Sequence, residues 1–269
     1  KKRPDLVKQV INNFYKEGFT PTIKKVMNKL DSLKALGYSS SGVVIESSIP
    51  DFKIGDRVAC AGQDIASHAE IISVPRNLLT KVPDNVDLDV ASFTTLGSIA
   101  LQGIRQASPM LGENICVIGL GLLGQLTSLM LKSNGCNVMG IDIDEKMINF
   151  SNNLNSCYAV NRKSKNLINN IQEFTNGYDF DKVIITAATN SDDPIDLSCQ
   201  ILRKKGLIVV VGDVKMNIKR EPYFYKKELE LKISTSYGPG RYDVQYETFG
   251  VDYPLPYVRW SENRNMEAF

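Results

Sequence analysis

Residues 115–124 read ICVIGLGLLG, a short apolar run that closes in Gly119-x-Gly121-x-x-Gly124 before the apolar segment QLTSLMLKSNG begins. A strand, a tight turn and a helix start in this order cradle a dinucleotide pyrophosphate. Gly119 lets the chain turn sharply, Gly121 removes a side chain that would hold phosphates away from backbone N–H groups, and Gly124 lets the helix approach the sheet. The phosphates then lie at the helix N-terminus, beside Leu122 and Leu123. Three glycines at this spacing also arise for packing reasons alone.

The segment after the helix sharpens the reading. CNVMGID forms a second apolar strand, closed by Asp142, eighteen residues past Gly124. A carboxylate there accepts both hydrogens of an adenosine ribose diol and repels a 2′-phosphate, so the pattern predicts NAD(H) over NADP(H). Lys146 softens that preference if it pairs with Asp142 or a phosphate; the alternative is a solvated lysine on the next helix.

DFDKVIITAAT (179–189) and KKGLIVVVGDV (204–214) repeat the strand texture, with the helix-compatible DPIDLSCQILRK between them. Nearly continuous apolar strands alternating with helices predict a doubly wound parallel sheet covered on both faces, a Rossmann-type α/β fold. Thr186, Ala187, Val211 and Gly212 then fall at strand ends, along the crevice where a nicotinamide ring runs. Small residues are common at strand ends in any case.

With 269 residues and 43% hydrophobic content, the chain has ample material for a large core. No apolar run approaches a membrane span and no secretory signal is recognisable, so no membrane association is expected. A net charge of +2 offers no attractive field for nucleic acid. The five cysteines, Cys60, Cys116, Cys136, Cys157 and Cys199, form no CxxC pair and read as reduced core thiols of a cytoplasmic protein.

Residues 1–36 are basic and helical, apolar at Leu6, Val7, Val10, Ile11 and Phe14, with EGFTPT predicting a break, Thr20 as cap and Pro21 in the next first turn. From Gly37 to about Val82 the segments SGVVIESS, DRVACAG and HAEIISVP alternate with period 2, as in a small antiparallel barrel-like domain, with Asp51 to Asp56 as a tight connection. Residues 83–110 read as a connector with a helix from Leu88 to Ala107. Both termini read as cut from a longer polypeptide, since the barrel-like part has too few strands to close and SENRNMEAF begins a helix that stops at once. The predicted division is 1–100, 101–235 for the dinucleotide-binding part, and 236–269 as a return segment.

GYSSSGVV (37–44), FKIGDRVACAG (52–62), HAEIISVPRNLLTKVPD (68–84), TTLGSIALQG (94–103) and VIGLGLLG (117–124) together resemble the medium-chain dehydrogenase/reductase superfamily. SYGPGRYD (236–243) and YVRWSENRNMEAF resemble, more narrowly, the first module of two-module oxidoreductases from surface-polysaccharide gene clusters, in which a sugar-dehydrogenase-like domain follows. The resemblance implies a chaperonin-10-like (GroES-like) catalytic domain, here truncated at its N-terminus, beside the Rossmann domain. It also implies a cleft between them, with Thr95 among the cofactor contacts, and homodimerisation.

The chain departs from the zinc-containing relatives. Their GHExxG motif is replaced by GYSSSG, with Tyr38 at the histidine position and Ser39 at the glutamate position. His68 is the sole histidine, and no four-cysteine cluster is present, so no zinc is expected. Tyr38 is a candidate donor to a substrate oxygen, or an aromatic packed on the barrel. His68 is a candidate proton shuttle, or a half-exposed strand residue. Tyr237, Arg241 and Tyr242 suit a sugar, sugar phosphate or nucleotide-sugar, unless the turn is structural with Arg241 paired to Asp243. The resulting expectation is a zinc-independent NAD(H) oxidoreductase acting between alcohol and carbonyl on a sugar-like small molecule. A quinone or activated-alkene reductase and an inactive nucleotide-binding or assembly module are the alternatives.

Overall fold

A computed structural model describes residues 4–31 and 35–269. The ends of the basic helical stretch, residues 1–3 and 32–34, lie outside the described residues. Two helices, α1 (Pro4–Glu17) and α2 (Phe19–Asp31), meet at Gly18. Gly18 has φ +86, a value a side chain resists, so the break falls there. Thr20 therefore sits inside α2 instead of capping it, while Pro21 occupies the first turn as expected. The apolar residues Val7, Val10, Ile11 and Phe14 are exposed.

Three short strands, β1 (Ser39–Val43), β2 (Arg57–Ala61) and β3 (Leu79–Lys81), form an antiparallel sheet in that order. The connection between β1 and β2 runs over residues 44–56 and is tight only where it closes: Asp56 accepts the Lys53 N–H at 2.9 Å, and Gly55 N–H donates to Val44 O at 2.8 Å. HAEIISVP is not a strand, contrary to its alternation. Ile72 and Val74 do turn inward onto Val58, Cys60 and Leu79, but the segment has no partner strand among the described residues, and Pro75 ends it. Alternation records which side chains face an apolar surface; a ladder also needs a neighbour.

The connector holds two helices, α3 (Leu88–Ala91) and α4 (Thr94–Ala107), where the sequence predicts one. Phe93 interrupts them at φ −91, ψ 2. The chain then alternates strand and helix as far as β8: β4 (Asn114–Ile118), α5 (Leu122–Ser133), β5 (Asn137–Asp142), α6 (Glu145–Leu154), β6 (Tyr158–Asn161), α7 (Leu167–Phe174), β7 (Phe180–Ile185), α8 (Asp193–Ile201) and β8 (Leu202–Val210), after which β9 (Glu230–Ile233) follows. All six strands pair in parallel in the order β6-β5-β4-β7-β8-β9, the 3-2-1-4-5-6 arrangement of a doubly wound dinucleotide fold.

The expected α/β class is therefore observed, with its smaller antiparallel partner. Within β4, Cys116 and Ile118 join one buried cluster with Val183, Ile185 and Ile208, while Ile115 and Val117 join another with Leu131, Ile184 and Val209. Both faces are covered, which explains why these strands read as unbroken apolar runs. The chain ends in α9 (Val244–Glu247) and α10 (Glu262–Ala268), the latter packed against α4 and β3.

One helix touches both sheets. Near its start, α4 gives the Thr95 hydroxyl to Cys60 O of β2 at 3.3 Å. Further along, Gly103 lies so close to Val211, just past β8, that an added Cβ would stand 2.5 Å from a Val211 methyl.

Candidate functional site

The strand order reverses between β4 and β7, and the crevice outside such a reversal is where ligands bind in open parallel sheets. The glycine loop leaves β4 there. Gly119 has φ +97, and an added Cβ would lie 2.6 Å from Ala187 N. A Cβ on Gly124 would lie 1.9 Å from Gly119 O. Both glycines are thus demanded by the fold. Gly121 differs: its φ is −65, and a Cβ there would meet nothing within 4 Å. Its bareness serves no neighbour in the protein and leaves open space at the α5 N-terminus. The first-turn N–H groups of Leu122, Leu123 and Gly124 have no intrahelical acceptor, and no acidic side chain occupies that turn.

Asp142, at the end of β5, is joined to this loop. Its Oδ2 accepts the Leu120 N–H at 2.5 Å, and its Oδ1 accepts those of Ile143 at 2.6 Å and Asp144 at 2.9 Å. An ionised carboxylate offers about four acceptor positions, so these three bonds leave capacity for a hydroxyl donor. Asp144 caps α6 by accepting the Lys146 N–H at 2.9 Å, and the Lys146 side chain is exposed.

The exits of β4, β7 and β8 are stitched together. Thr186 and Ala187 give their N–H groups to Ile118 O, and Val211 and Gly212 give theirs to Ile185 O. The Thr186 hydroxyl donates to Gly119 O at 2.6 Å, and a Cβ on Gly212 would stand 2.0 Å from Ala187 O. These four residues form a thin floor beside the glycine loop.

Tyr38 and His68 share one stretch of backbone. His68 N–H donates to Leu36 O at 2.7 Å, and its ring covers Gly37, where an added Cβ would come within 2.4 Å of Nε2. Tyr38 is 42% exposed, and its carbonyl accepts Gly62 N–H at 3.1 Å. Across the same strand pair, where Ser39 faces Ala61, Tyr237 packs on Ala61, Leu78 and Met266. The Tyr237 hydroxyl is buried without a partner among the described residues, and burial, reinforced by Glu262, pushes its ionisation far above the ordinary phenol range. Thr95 is fully buried behind β2.

Arg241 pairs with Glu247, Nη1 to Oε1 at 2.5 Å, and not with Asp243. Asp243 instead caps α9 through Gln245 N–H and accepts the Tyr253 hydroxyl at 2.6 Å. The Arg241 guanidinium stands 4.2 Å from the Tyr242 ring centre, so the exposed phenol of Tyr242 is backed by a cation.

Sequence reasoning passed over Glu247, Asn265 and Glu262. Asn265 binds Tyr237 O at 2.9 Å and Gln102 at 3.2 Å and accepts Arg105 Nε at 2.7 Å, tying the turn, α4 and α10 together. The signal for Glu262 and Asn265 lay in YVRWSENRNMEAF, a polar and charged stretch in which Ser261, Glu262, Asn265 and Met266 are buried; Glu247 lies outside it.

A family model described as "Zinc-binding dehydrogenase" matches residues 123–249, most of the parallel-sheet half. The alcohol dehydrogenase of Geobacillus stearothermophilus is 24% identical over 206 aligned residues, covering 65% of this chain and 60% of that protein. A probable D-xylulose reductase A of Aspergillus fumigatus is 23% identical over 243, covering 78% and 68%. The crystal structure of an alcohol dehydrogenase superfamily protein from Novosphingobium aromaticivorans superposes with a TM-score of 0.70 at 17% identity, covering 88% of this chain and 68% of that one.

The chain is similar in sequence over residues 123–249, and in fold over most of its length, to zinc-binding dehydrogenases and alcohol dehydrogenases.

The chain spans between 51% and 69% of the length of the curated relatives that it matches. The residues at the glycine loop fit a dinucleotide: an open glycine, bare helix N–H groups and an anchored carboxylate. They do not fit a zinc ion. Tyr38 and Ser39 offer neither imidazole nor carboxylate, and among the described residues no group of three His, Cys, Asp or Glu side chains is placed to hold a metal. No helix among the described residues is long and apolar enough to cross a membrane.

Proposed function

We propose that this chain is the dinucleotide-binding and catalytic part of a zinc-independent NAD(H) oxidoreductase that interconverts an alcohol and a carbonyl on a sugar or related polar metabolite. The observation that carries the reading is the Asp142 carboxylate, bonded to Leu120 N–H within the loop whose Gly121 opens onto free space. When bound, NAD(H) supplies the hydride acceptor or donor. Gly119 to Gly124 receive the diphosphate, Asp142 the ribose diol, and Thr186, Ala187, Val211 and Gly212 the nicotinamide ring.

Tyr38 and His68 are the proposed groups that hold or pass the proton of the reacting oxygen, since both side chains are exposed and His68 lies against Leu36 and Gly37, next to Tyr38. Tyr242 is the proposed contact for a substrate hydroxyl. Because Arg241 is already committed to Glu247, a neutral polyol suits the turn better than a phosphate. D-Xylulose reductase among the relatives supports a sugar-like substrate. The narrower resemblance of SYGPGRYD and YVRWSENRNMEAF supports a cytoplasmic, homodimeric place before a second sugar-dehydrogenase-like module in surface-polysaccharide synthesis. The division at 100 and 235 is proposed on the same basis.

Calorimetry on the full chain with NADH and NADPH, followed by turnover on panels of polyols, ketoses and quinones, tests the reading. NADH binding tighter than NADPH, with polyol or ketose turnover, is the expected result. Tighter NADPH binding, or no binding of either, would overturn the cofactor assignment; turnover confined to quinones would overturn the substrate class.

A further inference from the structure

Glu262 opens α10 from inside the protein. It is fully buried, and neither carboxyl oxygen has a hydrogen-bond partner among the described residues. Its backbone N–H donates to Pro239 O at 2.8 Å, tying it to the turn that carries Arg241 and Tyr242. Two more orphaned atoms belong to this turn, Arg241 Nε and the Tyr237 hydroxyl.

Counting charge decides what Glu262 is. Arg241 and Glu247 are only 14% and 13% exposed, so two enclosed carboxyl groups share one guanidinium. An uncompensated carboxylate in such surroundings is far costlier than its neutral acid. Arg241 is spent on Glu247, and the proton therefore goes to Glu262. Burial, then the Glu247 charge, push its ionisation up to about 9 against the pull of Arg241.

The other titratable groups that act there are Tyr237 on the turn, Tyr246 on α9 and Tyr253 beyond it. Arg105 of α4 meets α10 elsewhere, at Asn265, and stacks over Trp260 just before that helix.

We propose that Glu262 is a positioning residue: as an uncharged acid it leaves Arg241 wholly to Glu247 and so keeps the 236–243 turn in the shape that presents Tyr242. Once Glu262 ionises, two carboxylates contest one guanidinium, and the turn shifts with Arg241. Only the purpose of the turn rests on the proposed function. The charge arrangement involves neither cofactor nor substrate, and its test needs neither, so failure of one reading is distinguishable from failure of the other.

The test uses the full chain with Glu262→Gln and Glu247→Gln. Equilibrium unfolding is followed from pH 5 to pH 9, and emission of Trp260, the single tryptophan, from pH 7 to pH 10. The unfolded acid ionises near its ordinary value of 4.5, the folded one only near 9. Its contribution to stability is therefore full below the lower value and is lost as pH rises to the higher one. In the wild type the folding constant should fall by up to about tenfold per pH unit through this group. Glu262→Gln should lack that component, so its folding constant relative to wild type grows with pH, and its Trp260 emission should stay flat where the wild type changes. Glu247→Gln frees Arg241 for Glu262 and should also flatten the slope. Wild-type pH profiles in both readouts for Glu262→Gln would overturn the proposal. Should that variant not fold, an unchanged slope in Glu247→Gln would do so.

Discussion

Asp142 Oδ2 accepts the backbone N–H of Leu120 at 2.5 Å, so the residue proposed to grip the ribose also holds the phosphate loop in place. One carboxylate couples the end of β5 to the turn after β4, and both functions fall together when it is removed. Asp142→Ala should raise the NADH dissociation constant by about tenfold to a hundredfold, the loss of one to two charge-assisted hydrogen bonds. It should also erase the preference over NADPH, since no carboxylate then faces a 2′-phosphate. Calorimetry with both cofactors checks this; undiminished NADH affinity would remove Asp142 from the site.

Gly119 and Gly121 should separate stability from binding. Gly119→Ala places a side chain at φ +97 and 2.6 Å from Ala187 N, which should cost about 2 kcal/mol or more. Gly121→Ala meets open space at an ordinary φ, so its folding stability should stay within about 0.5 kcal/mol of wild type. Its NADH affinity should nonetheless drop. Thermal unfolding and calorimetry on the pair distinguish the two roles.

At the opposite end of the parallel sheet from the loop, Lys182 of β7 pairs with Glu113, their side chains 11% and 12% exposed. Glu113 also accepts Met110 N–H at 2.8 Å, and Lys182 reaches Ser108 O at 3.2 Å. Lys182→Met would strand a nearly buried carboxylate and should cost about 3 kcal/mol, measured by denaturant unfolding.

All five cysteines are buried, and burial raises each thiol above its usual range, Cys60 to about 11. At pH 8 these thiols are therefore protonated and sheltered, and thiolate is the reactive form. A colorimetric thiol reagent should react with fewer than one equivalent in the native protein and with all five after unfolding. Prompt labelling of the native chain would show that the core opens.

What the sequence disclosed was what neighbouring residues decide. The run from Ile115 to Asp142 carries its own strand, turn and helix signals, and the sharp turn at Gly119 and the close approach at Gly124 could be assigned before any packing was known. HAEIISVP misled because alternation cannot tell whether a partner strand exists. The sequence offered Asp243, a near neighbour, as one alternative for Arg241, but α9 brings Glu247 round to it while Asp243 is used as a cap. Glu262 was invisible for a different reason. A glutamate between polar residues reads as solvated, and only the tertiary fold reveals a carboxyl group enclosed with a single, already engaged cation.

The helix α4 has one last consequence. Its contacts with Cys60 and Val211 lie eight residues apart, about 12 Å along a stiff rod. A wedge driven between Gly103 and Val211 would tilt that rod and move β2, and with it Tyr38, without touching either. The distance between the proposed nicotinamide floor and the proposed proton donor is thus gauged by the girth of a single residue, and widening it by one methyl should detune the cleft from its far side.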